Sequence, residues 1–408
     1  MKLVVIGAGL SGLVTANKVQ KAGHQVVVLE ARDRVGGRVF TIRDGLHGGQ
    51  YADVGAEMIY HGQDNIANLV AAQGLEFTNE FSLGTDTPDI VFHGQRLSPE
   101  ASRELAQELR DAVKRVPPGF YETVAQWMRR AHLSDDAGRL LEAIAQGTPA
   151  APLRLADSQE LNVELSWGKG YRKIQGGNDN LPRSLAGSVD VRLDQVVRVV
   201  AHDASGVTVE TERETFRGDR VLVTVPGPLV QELGFDPVLP AAKVKALLQM
   251  RYGNGTRVVA QYAEKELVRS AIGLGCFTDQ MPGYVMEQTM QQPGDQVVIS
   301  GLAAGDVEPA LMTDQQVLNA FDRTIAAAVG QPLTRTFGYV KNWTKDPFAR
   351  SVVRAPLGDQ RETVLPELQR PLDGRVFFAG EYTDDRVGPG GMEGAIKSAY
   401  RVTKEILA

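Results

Sequence analysis

The sequence predicts an α/β protein of two domains, a Rossmann-like dinucleotide-binding domain and a second domain that mixes sheet and helices in the α+β manner. Three observations predict this class. Residues 1–31 follow the order strand, turn, helix, strand, which is one βαβ unit with a short crossover. Residues 375–407 repeat the order strand, glycine-rich turn, helix at the other end of the chain. The length of 408 residues exceeds the roughly 250–300 residues at which a single core stops growing.

The first βαβ unit is defined by two continuous apolar runs, at 2–6 and 25–29. Runs of this kind are typical of parallel strands that are buried on both faces. Between them, residues 13–22 predict a helix, and Gly23 marks its end because glycine is common just after a helix.

The middle of the chain predicts helices first and short strands afterwards. Helical spacing predicts helices at 99–115 and 121–146, with Pro117-Pro118-Gly119 between them, and Ser205-Gly206 predicts a hairpin turn. Strands are predicted at 189–193, 196–202, 207–209, 220–225, 257–262, 296–299 and 375–378, and further helices at 241–249, 314–328 and 392–407. We therefore predict a discontinuous nucleotide domain formed by 1–78, 170–242 and 346–408. A substrate domain with a helical insertion is predicted to consist of 79–169 and 243–345.

Composition excludes several classes of function. The net charge of −6 argues against a nucleic-acid-binding protein, which needs a basic face. Cys276 is the one cysteine, so we expect it to be buried, and no disulfide or multi-cysteine metal site can form within the chain. We expect no metal. No signal peptide precedes the first strand and no run reaches the ~18 apolar residues of a membrane span, so we expect a soluble cytoplasmic protein. The sequence does not determine the oligomeric state, and a homodimer is one possible assembly.

The strongest motif is Gly7-Ala8-Gly9-Leu10-Ser11-Gly12, which follows the first strand and opens the first helix. A dinucleotide-binding fingerprint requires this setting. Gly7 allows a tight turn, Gly9 lets a pyrophosphate approach the backbone, and Gly12 lets the helix pack against the strand. The unpaired N–H groups of the helix start then face the negative charge. We expect all of these glycines, with Leu10 and Ser11, to serve cofactor binding.

Glu30 ends the second strand, where a carboxylate can accept hydrogen bonds from ribose hydroxyls and repel a 2′-phosphate. Together with the glycine motif, it predicts binding of FAD or NAD. The loop that follows, 31–38, places Gly36-Gly37 between arginines, which indicates a second contact with an anion. An exposed charged loop is the alternative interpretation of this segment.

From Gly7 to Arg38 the chain resembles the N-terminal FAD motif of the flavin-containing amine oxidases, in which the acidic residue is followed by arginine and then Gly-Gly-Arg. Four further segments resemble the same family, at 53–57, 176–181, 343–348 and 378–395. The resemblance implies an amine-oxidase-like fold with a Rossmann-like FAD-binding domain. The family includes monoamine, polyamine and L-amino-acid oxidases.

The resemblance also implies contacts with FAD beyond the glycine motif. In addition to Glu30 it assigns them to Ala31, Arg32, Gly37, Arg38, Gly55, Ala56, Glu57, Met58, Val196, Trp343, Gly380, Glu381, Gly391 and Met392. Val196 would contact adenine through its backbone, and is otherwise an ordinary strand valine. Glu381 follows a buried strand and needs a partner, such as a ribityl hydroxyl or a backbone amide. The helix start at Gly391 can stabilise negative charge on a reduced flavin, and Glu393 either takes part or complements the helix dipole.

Three residues are candidates for catalysis. Trp343 would form a flat wall beside flavin and substrate, unless it is an ordinary core tryptophan. Arg257 falls where many relatives carry a lysine that reaches flavin N5 through a water. Arginine stays protonated and is a poor base, so Arg257 would hold positive charge or pair with an acidic substrate, unless it is a surface strand residue. His61 resembles an active-site histidine of polyamine oxidases, with an ordinary loop histidine as the alternative.

Two departures from the family narrow the expectation. Val353 and Gly391 stand where relatives that oxidise simple amines often frame the flavin with two aromatic residues, which puts aryl- or alkylamine specificity in doubt. Val352 stands where some relatives have a cysteine bonded to the flavin, so we expect FAD to be bound non-covalently.

The resemblance implies oxidation of a C–H bond next to nitrogen in an amine-type small molecule, with a hydride passed to flavin N5. Reoxidation by O2 would give hydrogen peroxide, and the imine would hydrolyse. Two alternatives stay open: a flavin desaturase or dehydrogenase of an apolar substrate, like protoporphyrinogen oxidase or phytoene desaturase, and an FAD-binding protein without turnover.

Overall fold

The structure is a computed structural model, which describes residues 1–408 except 83–87, 117–121, 148–149, 159–160, 162–169, 308, 356–360 and 385–389. The predicted break at Pro117-Pro118-Gly119 lies outside the described residues.

Strands and helices are interspersed through the described residues, with three successive helices at 99–147 and five successive strands at 190–223. The strands are β1 Lys2–Ile6, β2 Gln25–Leu29, β3 Thr41–Ile42, β4 Ala52–Asp53, β5 Ile59–Tyr60, β6 Phe81–Ser82, β7 Ile90–Phe92, β8 Gln95–Arg96, β9 Gly170–Arg172, β10 Asp190–Arg192, β11 Val197–Asp203, β12 Gly206–Thr211, β13 Thr215–Gly218, β14 Arg220–Val223, β15 Gly234–Asp236, β16 Gly255–Tyr262, β17 Gly275–Thr278, β18 Tyr284–Glu287, β19 Val297–Ala304, β20 Arg335–Asn342 and β21 Val376–Phe378. The α-helices in the described part of the chain are α1 Leu10–Lys21, α2 Asp64–Ala72, α3 Pro99–Val113, α4 Val124–Ala131, α5 Asp135–Gly147, α6 Asn180–Ala186, α7 Gly227–Val230, α8 Ala241–Gln249, α9 Lys265–Ile272, α10 Asp314–Val329, α11 Arg361–Gln369 and α12 Gly391–Leu407.

A parallel sheet of five strands, in the order β10-β2-β1-β14-β21, lies at the centre of the nucleotide-binding part. Its two apolar strands near the N-terminus are the predicted ones, with Ile6 opposite Leu29. Leu3 and Val5 of β1 pack with α1 and α12, whereas Val4 and Ile6 pack with the four-stranded sheet β13-β12-β11-β15 and with α8 and α11. Burial on both faces explains why these strands are continuously apolar.

A mixed sheet of seven strands, in the order β20-β16-β19-β18-β17-β7-β8, forms the second large layer. Val268 of α9 and Phe321 of α10 pack on one face of it, and the helical insertion packs around Trp127 beside Ile90 and Phe92 of β7. Small sheets β3-β4 and β5-β9-β6 complete the fold. Among the described helices, none is both long and apolar enough to cross a membrane.

Most predicted elements are present, with two kinds of difference. The helix predicted at 121–146 is wrong as a single element, because α4 ends where His132 takes a left-handed conformation with φ of 52°. The hairpin at Ser205-Gly206 is confirmed, since Asp203 pairs with Gly206 across β11 and β12. Several strands were not predicted, including the short β17 and β18 and the eight-residue β20. The division of the chain into two domains at the stated boundaries stays a prediction.

Candidate active site

A cavity of about 410 Å³ runs from the carboxyl ends of β1 and β2 to β16 and β19 of the seven-stranded sheet. Gly7 and Glu30 line its first end, and Arg257 and Leu302 line the other. The starts of α1 and α12 both border this cavity, although they are the first and last helices of the chain. The cavity therefore connects the two glycine-rich turns that the sequence singled out.

Nearly all predicted site residues lie around this one cavity. Its lining includes Gly7, Gly9, Leu10, Ser11, Glu30, Ala31, Arg32, Gly37, Arg38, Gly55, Ala56, Glu57, Met58, Val196, Arg257, Trp343, Gly380, Glu381, Gly391 and Met392. Gly12 and His61 are absent from the lining given by the described residues.

The turn at Gly7 and Gly9 has the shape that close approach of a ligand requires. Gly7 has a positive φ of 103°, and a Cβ on Gly9 would meet no protein atom within 4 Å. Gly12 differs, because a Cβ there would lie 2.1 Å from the Gly7 carbonyl oxygen and 3.2 Å from Val5 Cγ1. Gly12 therefore serves the packing of α1 on β1, and the open space at Gly9 faces the cavity.

Glu30 is buried at the end of β2, with backbone amides as its partners. Its Oε2 accepts a hydrogen bond from the Ala8 amide at 2.8 Å, and its Oε1 accepts one from the Arg32 amide at 3.0 Å. Burial raises the pKa of Glu30, and the two amide hydrogen bonds oppose this shift. Each carboxylate oxygen keeps acceptor capacity for a ligand hydroxyl in the cavity.

The guanidinium of Arg32 is held by a neighbouring carboxylate. Arg32 donates to both oxygens of Asp346, at 3.0 and 2.6 Å, and Lys341 also pairs with Asp346. Burial acts to raise the pKa of Asp346, yet the hydrogen bonds from Arg32 and Lys341 hold it at about 2. The loop 31–38 is thus not an exposed charged loop. It is fixed to the segment after β20, with Gly37 lining the cavity.

The carboxylate of Glu381 accepts hydrogen bonds from an arginine side chain and from a backbone amide, and an amide partner was expected. Its Oε1 accepts from Arg38 Nη2 at 3.0 Å, and its Oε2 accepts from the backbone amide of Arg354 at 3.1 Å. Arg38 also donates to the Val352 carbonyl at 2.9 Å. These bonds join the loop after β2 to the segment before α12.

The start of α12 borders the cavity without a side-chain cap. A Cβ on Gly391 would meet no protein atom within 4 Å, and its φ is 52°. Glu393 points away, since it accepts hydrogen bonds from Asn65 and from the Ile66 amide at the start of α2. Gly390, Gly391 and Met392 of the α12 start therefore line the cavity, whereas Glu393 caps a different helix.

Trp343 forms part of the wall at the Arg257 end. It is 3% exposed, and its Nε1 donates to the Val54 carbonyl at 2.9 Å. Lys341 Nζ lies 5.0 Å from the centre of the ring. Both the hydrogen bond and the burial fix the plane of the indole beside the cavity.

Arg257 is not a surface residue of β16. Its side chain is 12% exposed and its Nη1 lies 3.1 Å from Glu57 Oε2. Glu57 in turn pairs through Oε1 with Lys173 Nζ at 2.5 Å. Arg257, Glu57 and Lys173 thus form a buried ionic network, of which Arg257 is the member predicted from the sequence.

His61 is not placed at the site. Its side chain is 61% exposed, and its Nε2 lies 2.5 Å from Glu80 Oε2 on the surface. The residue next to it in sequence, Tyr60, lines the cavity instead. Tyr60 is the last residue of β5, whereas His61 lies in the exposed turn that follows it.

Sequence reasoning missed some residues of the site. Thr224 follows β14, and its hydroxyl donates to the Ile6 carbonyl at 2.8 Å beside the glycine turn. Leu302 lies on β19, beyond the end of the predicted strand 296–299. A rule that residues after parallel strands border ligands would have found Thr224. No local signal indicates Leu302.

Comparison with known proteins decides the family. The family described as flavin containing amine oxidoreductase matches residues 10–407. The chain belongs to this family. The L-amino-acid oxidase of Mus musculus is 27% identical, over 99% of this chain and 70% of that protein. The L-amino-acid oxidase of Siganus canaliculatus is 27% identical, over 99% of this chain and 85% of that protein.

Solved structures show the same fold. Wild-type putrescine oxidase bound to putrescine superposes with a TM-score of 0.82 at 20% identity, over 100% of this chain and 99% of that chain. Cyclohexylamine oxidase from Brevibacterium oxydans gives a TM-score of 0.81 at 22% identity, over 100% and 99%. The predicted family and fold class are confirmed. As a member of this family, the protein is an oxidoreductase, and the family implies a flavin cofactor.

Proposed function

We propose that the protein is an FAD-dependent oxidase of a C–N substrate, an amine or an amino acid. The observation that carries the proposal is the single cavity that joins the starts of α1 and α12 and ends between Trp343 and Arg257. When bound, the flavin would supply the redox chemistry, taking a hydride equivalent from the carbon beside nitrogen and passing the electrons to O2, so that hydrogen peroxide and an imine result. Hydrolysis of the imine would follow.

The residues present fit FAD. The open space at Gly9 suits a diphosphate, and the amides at the start of α1 would face its charge. Glu30 stands where a ribose would need an acceptor. Val352 lines the cavity where a cysteine would be needed for a thioether, and Cys276 lies in β17 outside the described lining. We therefore propose that the FAD is held without a bond to cysteine.

The charges around the cavity favour a substrate nitrogen without a proton. Each carboxylate that lines the cavity already has a partner in the protein. Glu30 accepts hydrogen bonds from the backbone amides of Ala8 and Arg32. The other three form ion pairs, which are Glu57 with Lys173, Glu232 with Arg350, and Glu381 with Arg38. None of the four carboxylates therefore depends on a substrate ammonium for its hydrogen bonds or ion pairs. Arginine side chains are cations in proteins, and a positive charge near a bound amine lowers the pKa of that amine. A neutral amine has the lone pair that must assist departure of the hydride.

The test is anaerobic mixing of the FAD-loaded protein with L-leucine, L-lysine, putrescine and cyclohexylamine, while the flavin absorbance is followed. At least one compound should bleach the flavin, and O2 should then restore the colour with release of peroxide. If none bleaches it, and dithionite does, the oxidase proposal is contradicted.

Trp343→Ala probes the wall of the site, with Trp127→Ala as a matched control. Trp127 is 1% exposed in the helical insertion, away from the cavity lining. Trp343→Ala should slow flavin reduction by roughly tenfold to a hundredfold, because the substrate loses its orientation. Trp127→Ala should lower the free energy of unfolding by about 3–5 kcal/mol and leave the reduction rate per bound FAD unchanged. Equal reduction rates in Trp343→Ala and the parent would remove Trp343 from the site.

A further inference from the structure

Lys173 belongs to a buried ionic network that ends at the cavity. It follows β9, whereas Glu57 follows β4 and Arg257 lies on β16. Lys173 Nζ is 2.5 Å from Glu57 Oε1, and Arg257 Nη1 is 3.1 Å from Glu57 Oε2. Glu57 therefore stands between two cations, one that lines the cavity and one that lies behind it.

The ammonium group of Lys173 is held in one position. Its side chain is 5% exposed, so its charge must be met by protein groups. Besides Glu57, Gln288 Oε1 accepts from it at 2.7 Å. The Gln288 amide cannot turn around without loss, because its Nε2 donates to Ser300 Oγ at 2.8 Å. Lys173 thus has a fixed direction toward Glu57.

Glu57 is fixed from its backbone side as well. The Asn178 amide group donates to the Glu57 carbonyl at 2.7 Å and to the Ala56 carbonyl at 3.0 Å. The carboxylate is 3% exposed and offers two oxygens to its surroundings. Lys173 occupies Oε1, so Oε2 is the oxygen that faces Arg257.

The contact between Arg257 and Glu57 is incomplete for these two groups. Guanidinium and carboxylate commonly form two parallel hydrogen bonds. Here a single pair of atoms meets, and Oε2 lacks a well-directed hydrogen bond among the described residues. Arg257 Nε likewise has no hydrogen-bond partner in the described part of the chain. Nε itself is buried, but the Arg257 side chain is 12% exposed and lines the cavity, so the N–H groups of its terminal nitrogens that do not meet Glu57 are the donors a group in the cavity can use.

We propose that Lys173 is a positioning residue, which keeps the Arg257 guanidinium available to the cavity by occupying one oxygen of Glu57. The inference rests on the proposed function, in which Arg257 borders the reacting end of the site. With Lys173 absent, both oxygens of Glu57 would turn to Arg257 and form the two-bond pair. The guanidinium would then withdraw from the cavity.

The other titratable groups near this network are an aspartate, three tyrosines and a lysine, each with a defined charge or partner. Burial raises the pKa of Asp53 to about 6, while Lys173 acts to lower it, so Asp53 is mostly ionised above that pH. Burial also raises the pKa of Tyr60 to about 12, and those of Tyr171 and Tyr284 well above their usual value, so these phenols stay neutral. Lys341, opposite Arg257 in the sheet, is paired with Asp346. Lys173 is thus the cation whose removal changes the charge behind Glu57.

The direct test is a crystal structure of the FAD-loaded parent, Lys173→Met and Lys173→Arg. The parent and Lys173→Arg should show one Arg257–Glu57 contact, and Lys173→Met should show two, with the guanidinium drawn toward Glu57. Lys173→Ala, which likewise leaves no donor for Glu57, replaces Lys173→Met if the latter does not fold. An Arg257 position that is the same in all variants overturns the proposal.

A second measurement separates an electrostatic effect of Lys173 on the site from a merely structural role. The pH dependence of anaerobic flavin reduction is recorded with whichever of L-leucine, L-lysine, putrescine and cyclohexylamine reduces the parent fastest. Lys173→Met should move the acid limb to higher pH by about one unit, the order expected for loss of a charge ~10 Å away at an effective dielectric constant of ~20. Lys173→Arg should restore the parent limb, and an unmoved limb in Lys173→Met overturns the proposal. If no compound reduces the parent, the proposed function fails separately, and the crystal structures alone decide the role of Lys173.

Discussion

The same substitution should affect two glycines of one motif differently, with FAD affinity lowered more at Gly9 and stability lowered more at Gly12. Gly9→Ala adds a Cβ where no protein atom lies within 4 Å, and the backbone there, with φ of −76° and ψ of 177°, suits alanine. Gly12→Ala adds a Cβ 2.1 Å from the Gly7 carbonyl oxygen and 3.2 Å from Val5 Cγ1. The Cβ of Gly9→Ala would therefore occupy space in the cavity, whereas the Cβ of Gly12→Ala would overlap with protein atoms.

The magnitudes follow from these distances. Alanine is a poorer helix N-cap than glycine, so Gly9→Ala should lower the free energy of unfolding by about 1 kcal/mol or less. Gly12→Ala gains about 0.5–1 kcal/mol from helix propensity, but the overlap with the backbone should outweigh this and give a net loss of about 1–3 kcal/mol. For FAD affinity the order reverses, since a Cβ at Gly9 keeps the diphosphate from the amides. We expect a loss of about tenfold or more there, equivalent to ~1.4 kcal/mol.

The assay pairs two titrations on each variant. Urea unfolding of the apoprotein gives the stability, and quenching of FAD fluorescence on addition of apoprotein gives the dissociation constant. If Gly9→Ala binds FAD as tightly as the parent, the diphosphate does not lie at the start of α1, and the reasoning from the open space at Gly9 is refuted.

Two further predictions concern buried charges. The pKa of Asp346, held at about 2, lies below that of an unfolded aspartate, so its contribution to stability is present above about pH 4 and is lost as pH falls toward 2. The stability difference between the parent and Asp346→Asn, measured by urea unfolding, should therefore shrink over that interval, and a constant difference would contradict the Arg32–Asp346 pair. Burial lowers the pKa of Lys243, whose ammonium donates to the Glu367 and Leu368 carbonyls, to about 7. Because the unfolded lysine keeps its proton to higher pH, the parent should gain stability relative to Lys243→Met as pH rises from about 7 to 10, and a gain on going to lower pH would show that the pKa is not depressed.

What the sequence predicted well was local. The strand at 2–6 and the turn at Gly7 are specified by a continuous apolar run and by glycines in fixed order, and these patterns need no knowledge of distant residues. The helix was predicted to begin at Leu13 but begins at Leu10, because the motif residues themselves form its first turn. The C-terminal strand and helix were predicted for the same local reasons.

What the sequence missed depends on contacts between distant segments. Arg32 meets Asp346, and Lys173 meets Glu57, only after the chain has folded, and no spacing rule relates such positions. β20 is half-buried along its length and mixes apolar with charged residues, so it lacks the alternation that predicts a strand. His61 was placed at the site by resemblance, yet it lies in an exposed turn after β5, and Tyr60 lines the cavity.

A crystal structure of the protein reconstituted with FAD tests most directly whether one cofactor spans both glycine-rich turns. We predict its diphosphate at the amides of Gly9 to Ser11, its ribose beside Glu30, and its ring system between the start of α12 and Trp343. A protein that cannot be loaded with FAD, or a cofactor whose ring lies away from Trp343 and Gly391, would contradict the account.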